Sequence, residues 1–243
     1  MSTLPPLLIT SAVRPADGSV VLSSDDLRIR YTLDALDRWL QLAPKLKIVI
    51  CDGSGFDFSP LLQTRYPNRD IEALSFLNDQ TRVSATGKGY GEGEIMAYAL
   101  QHSQTLAASR CFAKCTSKLW VQNFDSIMRH WNGRMLFQAK ISNILKRKPL
   151  VFRHIDTRFY VIDRDMYQHH FSDAYRHVND VADHSLEHCF REVIERQHMT
   201  QFLSPVPFHV YGVSGSTGDF FQMSLGSCLS ESVKLAEIGR AHV

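Results

Sequence analysis

Short apolar runs and longer amphipathic stretches alternate along the first 80 residues. The runs at 6–13 and 48–51 are apolar and rich in β-branched residues, as the buried strands of a parallel sheet are. Between them, residues 23–44 repeat leucines at helical spacing, with serines at the start and a proline at the end. A third strand is predicted at 71–77. This order predicts a βαβ unit and hence a Rossmann-like N-terminal half.

The patterning of the remaining chain continues this alternation of helices and strands. It predicts helices at 92–108, 124–131, 163–178 and 183–197, and strands at 110–122, 135–141, 157–163 and 207–212. Neither an internal repeat nor a linker interrupts the pattern. The expected fold class is therefore α/β, with one open, mostly parallel sheet and flanking helices.

We expect a single domain over residues 1–237. The last six residues, IGRAHV at 238–243, match the translation of a common DNA sequencing adapter. We therefore expect this hexapeptide to be an artefact and the natural gene to continue past residue 237. No inference about fold or function rests on this tail.

Composition and charge exclude several classes of protein. The 243 residues are 44% hydrophobic and 21% charged, which is typical of a globular chain that can bury a full core. A net charge of +2 creates no field that would attract nucleic acid. The 5 cysteines are widely spaced, no apolar stretch approaches the roughly 20 residues of a membrane span, and the N-terminus lacks a signal peptide. We expect a cytoplasmic protein that binds no nucleic acid.

The segment GKGYGEGEI, residues 87–95, places four glycines before an apolar helical pattern. Its spacing matches neither the Walker loop nor the GxGxxG dinucleotide fingerprint. Gly89 allows close approach of the backbone to a ligand, but Glu92 and Glu94 stand at the helix start and would repel a bare phosphate. We interpret the segment as a flexible entry to a helix that faces sugar hydroxyls, with Lys88 as its phosphate-binding group. Helix capping by the glutamates alone remains the alternative.

The ends of the first two strands are candidate ligand positions, because open α/β sheets bind ligands outside the carboxyl ends of their strands. Ser11 lies towards the end of the first strand, and Asp52 and Gly53 follow the second. A carboxylate at Asp52 can accept hydrogen bonds from a ribose or a base, although the Asp-Gly pair is also a turn signal. The run DGSG also resembles the first loop of methyltransferases, without its third glycine. An S-adenosylmethionine-dependent methyltransferase is therefore a weaker alternative.

Four motifs follow one another along residues 7–225: GKGYGEGEI, FAKCTSKLWVQNF at 112–124, DTRFYVIDRDMY at 156–167 and SLEHCF at 185–190. In this order the chain resembles certain bacterial glycosyltransferases of surface-polysaccharide loci, which make capsule or lipopolysaccharide. Those proteins have a K-G-x-G-E helix start, an F-K-x-T-G-K/R strand, an R-F-F strand and an L-E-H helix. The resemblance implies a GT-A-like fold, a nucleotide-sugar donor and a glycan acceptor. Ser117 stands where such proteins often have glycine, so the local backbone can differ.

Several residues of these motifs have chemistry that suits sugar transfer. Lys114, with Thr116 beside it on a predicted strand, can bind the phosphates of the donor, and Arg158 can neutralise a leaving phosphate. Asp156 can bind a metal ion or the sugar, although the run DTR is not the DxD of metal-dependent GT-A enzymes. Solvated or structural roles remain the alternatives for these residues.

Glu187 and His188 lie within the predicted helix that contains SLEHCF. Either side chain can act as the general base that takes a proton from an acceptor hydroxyl. We count both, together with Asp156, as candidate catalytic residues. A purely structural histidine is the alternative for His188.

We therefore predict a glycosyltransferase that moves a sugar from a nucleotide-sugar donor to a bacterial envelope glycan, free or lipid-linked. Peripheral association with the inner face of the cytoplasmic membrane is expected for such an acceptor. Mg²⁺ or Mn²⁺ is expected with a nucleoside-diphosphate donor, and no metal with a nucleoside-monophosphate donor. A glycan- or nucleotide-binding module without catalysis is the alternative from another class.

Overall fold

The computed structural model describes residues 4–142 and 151–222, except residues 17 and 19. The strands of this part of the chain are β1 (Leu7–Ser11), β2 (Ile48–Asp52), β3 (Ile71–Ser75), β4 (Cys111–Thr116), β5 (Leu119–Val121), β6 (Met135–Ser142), β7 (Val151–Asp163), β8 (Val210–Val213) and β9 (Phe220–Phe221). Its α-helices are α1 (Asp25–Leu42), α2 (Ser59–Arg65), α3 (Gln80–Thr86), α4 (Lys88–His102), α5 (Gln104–Ala107), α6 (Phe124–Met128), α7 (Arg164–His170) and α8 (Leu186–Arg196). Two 3₁₀ turns span Ala174–His177 and Asp180–Ala182.

Six strands form the central sheet in the order β3-β2-β1-β4-β7-β6. β1 pairs in parallel with β2 and β4, and β2 pairs in parallel with β3, whereas β7 runs antiparallel to both of its neighbours. The chain proceeds outward from β1 to β3 and then places β4 on the other side of β1. The direction of strand addition therefore reverses between β1 and β4. This sheet confirms the predicted α/β class with an open, mostly parallel sheet.

Both faces of the central sheet are buried, because apolar side chains follow one another along its strands. In β1, Leu7 and Ile9 belong to a core shared with α1, whereas Leu8 belongs to a core shared with α4 and α8. Burial of each such side chain stabilises the fold by roughly 1.5–3 kcal/mol. The sheet is thus held between two cores, which leaves the strand ends free to form a site.

The helix α1 begins and ends close to its predicted limits. The Ser24 side chain accepts a hydrogen bond from the backbone N–H of Leu27, as expected of an N-cap serine. Trp39 is fully buried on the inner face of the helix, and its Nε1 donates to the carbonyl of Leu119 at 3.0 Å. This bond connects α1 to the start of β5.

Several helices differ from the sequence-based prediction, among them α7, which ends at His170 and not at residue 178. α4 begins at Lys88 instead of near residue 92, so the glycine-rich segment is helical and not a flexible entry. The pattern does not predict α2 and α3, each of 7 residues. Seven residues hold only two helical turns, too few to show a periodicity.

A second sheet of three strands, in the order β5-β8-β9, lies beside α1. None of the helices in the described part of the chain combines the length and apolarity that crossing a bilayer requires. The single domain over 1–237 stays a prediction, and the adapter-like residues 238–243 lie outside the described residues.

Candidate active site

A cavity of about 330 Å³ lies at the carboxyl ends of β1, β2 and β4, beside the point where the strand order reverses. Ser11 lines it from the end of β1, Gly53 from the residue after β2 and Thr116 from the end of β4. Val213, at the end of β8, and residues 214–216 of the loop that follows also contribute to the lining. Open α/β sheets bind their ligands at such a position, because the loops on either side of it diverge. The cavity is therefore the candidate active site.

Cations outnumber carboxylates among the described residues that line this cavity. The cations are Arg14, Arg28, Lys88, Lys118 and Arg158. The carboxylates are Glu92 and Glu187. The formal excess of positive charge fits an anionic ligand, such as the phosphate groups of a nucleotide.

Lys118 stands between β4 and β5, and its side chain is almost fully buried. Its Nζ donates to Ser117 Oγ at 2.7 Å. Burial, and then the nearby Arg28 cation, lower the pKa of Lys118 to about 7. An anion entering the cavity would favour the charged form of this amine. The sequence analysis missed Lys118, although it occupies the K/R position of the F-K-x-T-G-K/R motif.

Arg28 is held at the cavity wall by two backbone carbonyl groups. Its Nε donates to Ala12 O and its Nη1 to Leu22 O, both at 2.8 Å. Burial lowers the pKa of Arg28, against the opposing effect of nearby carboxylates. The sequence analysis missed this residue too, because an arginine in an amphipathic helix ordinarily faces solvent.

Two buried polar atoms in the cavity wall have no hydrogen-bond partner among the described residues: Thr10 Oγ1 and Asn78 Oδ1. Thr10 is 3% exposed and Asn78 is 8% exposed, so solvent reaches these side chains poorly. An unpaired buried polar atom costs roughly 1–3 kcal/mol. Asn78 Nδ2 donates to the carbonyl of Gly91 at 3.3 Å, whereas its Oδ1 is closed to solvent and packs against Gly53.

Lys114 lies below the cavity and does not line it. Its fully buried Nζ forms an ion pair with Glu92 and donates to Thr116 Oγ1 at 3.0 Å and to the carbonyl of Thr157 at 2.7 Å. An ammonium group has three N–H donors, so all of them are used. In this arrangement Lys114 connects β4, α4 and β7, and positions Glu92 and Thr116 at the cavity.

Glu187 and Arg158 face the cavity from α8 and β7. Glu187 accepts a hydrogen bond from Thr157 Oγ1 at 2.9 Å. Arg158 donates from Nε to the carboxylate of Asp156 at 2.9 Å, and its guanidinium lies 4.8 Å from the ring centroid of Phe221. Burial alone would raise the pKa of Asp156, but the hydrogen bonds and positive charge of Arg158, together with the charge of Lys114, lower that pKa. Asp156 does not line the cavity and serves to orient Arg158.

Asp52 organises the loop after β2. Its Oδ2 accepts from the N–H of Val13 at 2.9 Å, and its Oδ1 accepts from the N–H of Ser54 at 2.8 Å and of Phe56 at 3.2 Å. The carboxylate is fully buried, and both of its oxygens are used by the backbone. This is the turn-forming role, and the buried carboxylate of Asp52 is not available to a ribose or a base.

The glycines of GKGYGEGEI serve close packing of α4. A Cβ added to any of three glycines would lie 3.1 Å or less from a neighbouring side chain: Leu186 for Gly89, Asn78 for Gly91 and Tyr175 for Gly93. Gly87, with a φ of 112°, ends α3 and begins α4. Gly53 is also closely packed, since a Cβ added to it would lie 2.5 Å from Asn78 Oδ1. These glycines therefore do not form a phosphate loop.

Three further predicted residues have defined positions. Lys88 lines the cavity, and its exposed Nζ donates to Ser216 Oγ at 2.8 Å. Glu94 accepts from the backbone N–H of Asp79 at 3.0 Å, and burial raises its pKa. His188 forms a capping box with Ser185 at the start of α8. Glu94 and His188 thus support the ends of helices.

The cavity brings together seven of the thirteen predicted site residues: Ser11, Gly53, Lys88, Glu92, Thr116, Arg158 and Glu187. The other six lie outside its lining: Asp52, Gly89, Glu94, Lys114, Asp156 and His188.

A preformed site for a divalent cation is absent from the described part of the chain. No group of three or more histidine, cysteine, aspartate or glutamate side chains there could hold a metal ion. Glu92 is engaged by Lys114, and Asp156 by Arg158. These carboxylates do not fit a metal site in their present pairing, so no catalytic step is assigned to a metal ion.

No protein-family model and no curated protein matches the sequence. Solved structures match the fold. The inositol-1-phosphate CTP transferase from T. maritima matches 100% of this chain with 99% of its own, at a TM-score of 0.53 and 10% identity. A Desulfovibrio desulfuricans protein named provisionally as a nucleotide-diphospho-sugar transferase matches 80% of this chain with 76% of its own. Its TM-score is 0.46 and its sequence identity is 11%. The galactosyltransferase LgtC matches 81% of this chain with 66% of its own, at a TM-score of 0.41 and 7% sequence identity.

Identities this low establish the fold alone. The described part of the chain has the GT-A-like α/β fold that the resemblance implied, and it is similar in fold to the inositol-1-phosphate CTP transferase. The particular reaction has to be argued from the cavity.

Proposed function

We propose that this protein is a glycosyltransferase that uses a nucleotide-sugar donor. The observation that carries the proposal is the cavity at the strand-order reversal, where five cations and two carboxylates line the same space. The cations suit the phosphates of the donor.

In this proposal, Lys118, Arg28 and Arg158 stabilise the negative charge of the departing nucleotide. Lys118 and Arg28 are buried, and a buried cation acts strongly because the local dielectric is low. Glu187 is the general base that takes the proton from the acceptor hydroxyl. Thr157 orients that carboxylate through its 2.9 Å hydrogen bond. Glu92 accepts hydrogen bonds from the sugar while Lys114 balances its charge.

The acceptor, a bacterial envelope glycan that is free or lipid-linked, comes from the motif resemblance and belongs to the proposal. So do capsule or lipopolysaccharide synthesis, a cytoplasmic location and peripheral membrane association. Mg²⁺ or Mn²⁺ with a nucleoside-diphosphate donor, or no metal with a nucleoside-monophosphate donor, stays a prediction, and no step of the proposed reaction depends on it.

The test is a panel of nucleotide sugars measured for binding and for slow hydrolysis, with and without EDTA. We expect one class of donor to bind and to release its nucleotide. Release of pyrophosphate from a nucleoside triphosphate and a sugar phosphate would instead indicate a nucleotidyltransferase. Binding without turnover would indicate a non-catalytic module. Either result, or no binding at all, overturns the proposal.

Glu187→Gln and His188→Ala form a matched pair of variants on α8. Glu187→Gln should lower kcat by about 10²–10⁴-fold and leave donor affinity unchanged, since it removes the base but keeps the shape. His188→Ala should keep kcat but lower the stability by roughly 1 kcal/mol, because it removes a capping group. Transfer assays and thermal unfolding distinguish them. The reverse pattern would exclude Glu187 as the base.

A further inference from the structure

A second groove, of about 620 Å³, lies between α1 and the small sheet β5-β8-β9. It shares Lys118 and Val213 with the candidate active site. The proposed reaction uses none of its other residues. Its lining combines aromatic rings with polar groups.

The aromatic part of the groove is one face of the small sheet. Trp120 on β5 is paired with Tyr211 on β8, and their rings are nearly parallel with centroids 6.0 Å apart. The ring centroid of Phe220 on β9 lies 6.2 Å from that of Trp120, and Phe220 is 55% exposed. A monomeric protein usually buries such large apolar rings, so a cluster at the surface suggests a binding face.

The polar part of the groove comes from α1. Asp34 is 53% exposed, and one of its carboxylate oxygens lies 3.8 Å from Arg65. Gln41 accepts from Arg38 at 3.1 Å, and Arg38 lies 5.9 Å from the Trp120 ring centroid. Carboxylate, amide and guanidinium groups next to aromatic rings provide both acceptors and donors without a strong net charge. This combination suits a neutral polyhydroxylated ligand.

The strand β9 separates the groove from the active-site cavity. Phe220 lines the groove, whereas the next residue, Phe221, lines the cavity and lies beside Arg158. Successive residues of a strand point to opposite faces, so one strand forms a wall of both spaces. At the junction, Lys118 reaches both. A ligand of two or more linked units could therefore occupy the groove and present one end at the cavity.

We propose that this groove binds a saccharide, the acceptor glycan of the proposed transfer reaction. A pyranose ring places its C–H groups, which carry partial positive charge, against the negative face of Trp120. Its hydroxyl groups hydrogen-bond with Asp34, Gln41 and Arg38. The acceptor role rests on the proposed function, but saccharide binding itself can be measured without a donor.

The experiment applies the full chain, without a donor, to an array of defined bacterial surface oligosaccharides and methyl hexosides. The best saccharide is then titrated by calorimetry against the wild type, Trp120→Ala, Phe220→Ala and the conservative Trp120→Phe. We expect Trp120→Ala to weaken binding roughly tenfold, and Phe220→Ala to weaken it less. Trp120→Phe should retain most of the affinity, because it keeps a ring. Leu77→Ala, at an exposed residue outside the groove, is the matched control and should bind normally.

Phe220→Ala decides the question if Trp120→Ala does not fold, since Phe220 is the more exposed ring. Absence of any saccharide binding, or equal affinity in all variants, overturns this inference. The proposed function is judged separately by the donor panel. Donor turnover together with an acceptor KM that is insensitive to Trp120→Ala would reject the groove and keep the glycosyltransferase.

Discussion

The amine of Lys118 is buried at the junction of two spaces, and burial holds its pKa near 7. It is therefore half-charged in the free protein near neutral pH. A bound phosphate stabilises the charged form, so the pKa of Lys118 rises in the complex. Ligand affinity is linked to this change, because binding takes up a proton wherever the free amine is neutral.

We expect donor affinity to be full below about pH 7 and to fall as the pH rises above it, by up to about tenfold per pH unit. A nucleotide sugar suits the measurement, because its esterified phosphates keep their charge over this range. Calorimetry from about pH 6 to about pH 9 provides the data.

Lys118→Met is the control, since methionine retains the length of the side chain without its charge. It should bind the donor more weakly and with no pH dependence over the same range. A wild-type affinity that is independent of pH would mean that Lys118 does not contact the donor phosphates.

At the scale of elements, α4 is a helix whose first turns contain glycine where alanine would ordinarily be more stable. Alanine favours a helix by about 1 kcal/mol over glycine. The neighbours of α4 remove that advantage, since Gly89, Gly91 and Gly93 all contact other elements closely. At Gly93 the atom nearest to an added Cβ is Cβ of Tyr175, at 2.0 Å, and it cannot move without its backbone.

Gly93→Ala should therefore lower the free energy of unfolding by roughly 1–2 kcal/mol, the overpacking cost less the gain in helix propensity. Urea unfolding measures the change. Gln101→Ala, at an exposed position of the same helix, should change it by less than about 0.5 kcal/mol. A more stable Gly93→Ala variant would show that Tyr175 yields easily.

The elements predicted from the sequence are those whose signals are local. Strand β2 is a continuous apolar run, and α1 has a capping serine and a regular apolar stripe. The segment at 87–95 was misread as a flexible loop, because glycine indicates freedom in isolation and close contact in a packed helix. Only the positions of Leu186 and Tyr175 distinguish the two meanings.

For the whole molecule, the ion pair between Lys114 and Glu92 connects the middle of the sheet to α4 below the cavity. The two partners differ in exposure: Lys114 is 0% exposed, whereas Glu92 is 22% exposed. Loss of one partner leaves the other charge uncompensated, and that cost depends on how well water can reach the remaining group.

Glu92→Gln should consequently destabilise the protein by about 3–5 kcal/mol, since it leaves the buried ammonium without a counter-charge. Lys114→Met should cost less, because Glu92 can still be hydrated. The double variant should be more stable than Glu92→Gln alone. A double-mutant cycle by urea unfolding tests all three values. Equal effects of the two single substitutions would contradict this asymmetry.

The site was predicted only in part, because it depends on contacts between residues that are distant in the chain. Ser11 and Gly53 follow from the rule that ligands bind at strand ends, and Glu187 from a motif. Lys118, Arg28 and Asn78 were missed, because their importance comes from burial against residues distant in the chain. Lys114 was predicted as a site residue. The sequence could not show that all three N–H donors of its ammonium group are used within the protein.

The close contacts of α4 also fix the position of this helix along its own axis. If α4 slipped by one residue, Tyr90, Glu92 and Glu94 would enter the spaces that now admit only Gly89, Gly91 and Gly93. A slip of one residue is therefore excluded by steric clash, and the observed position of α4 brings Glu92 to Lys114. The glycines thus prevent a one-residue shift of α4. The segment that resembles a phosphate-binding loop in the sequence serves to position this helix.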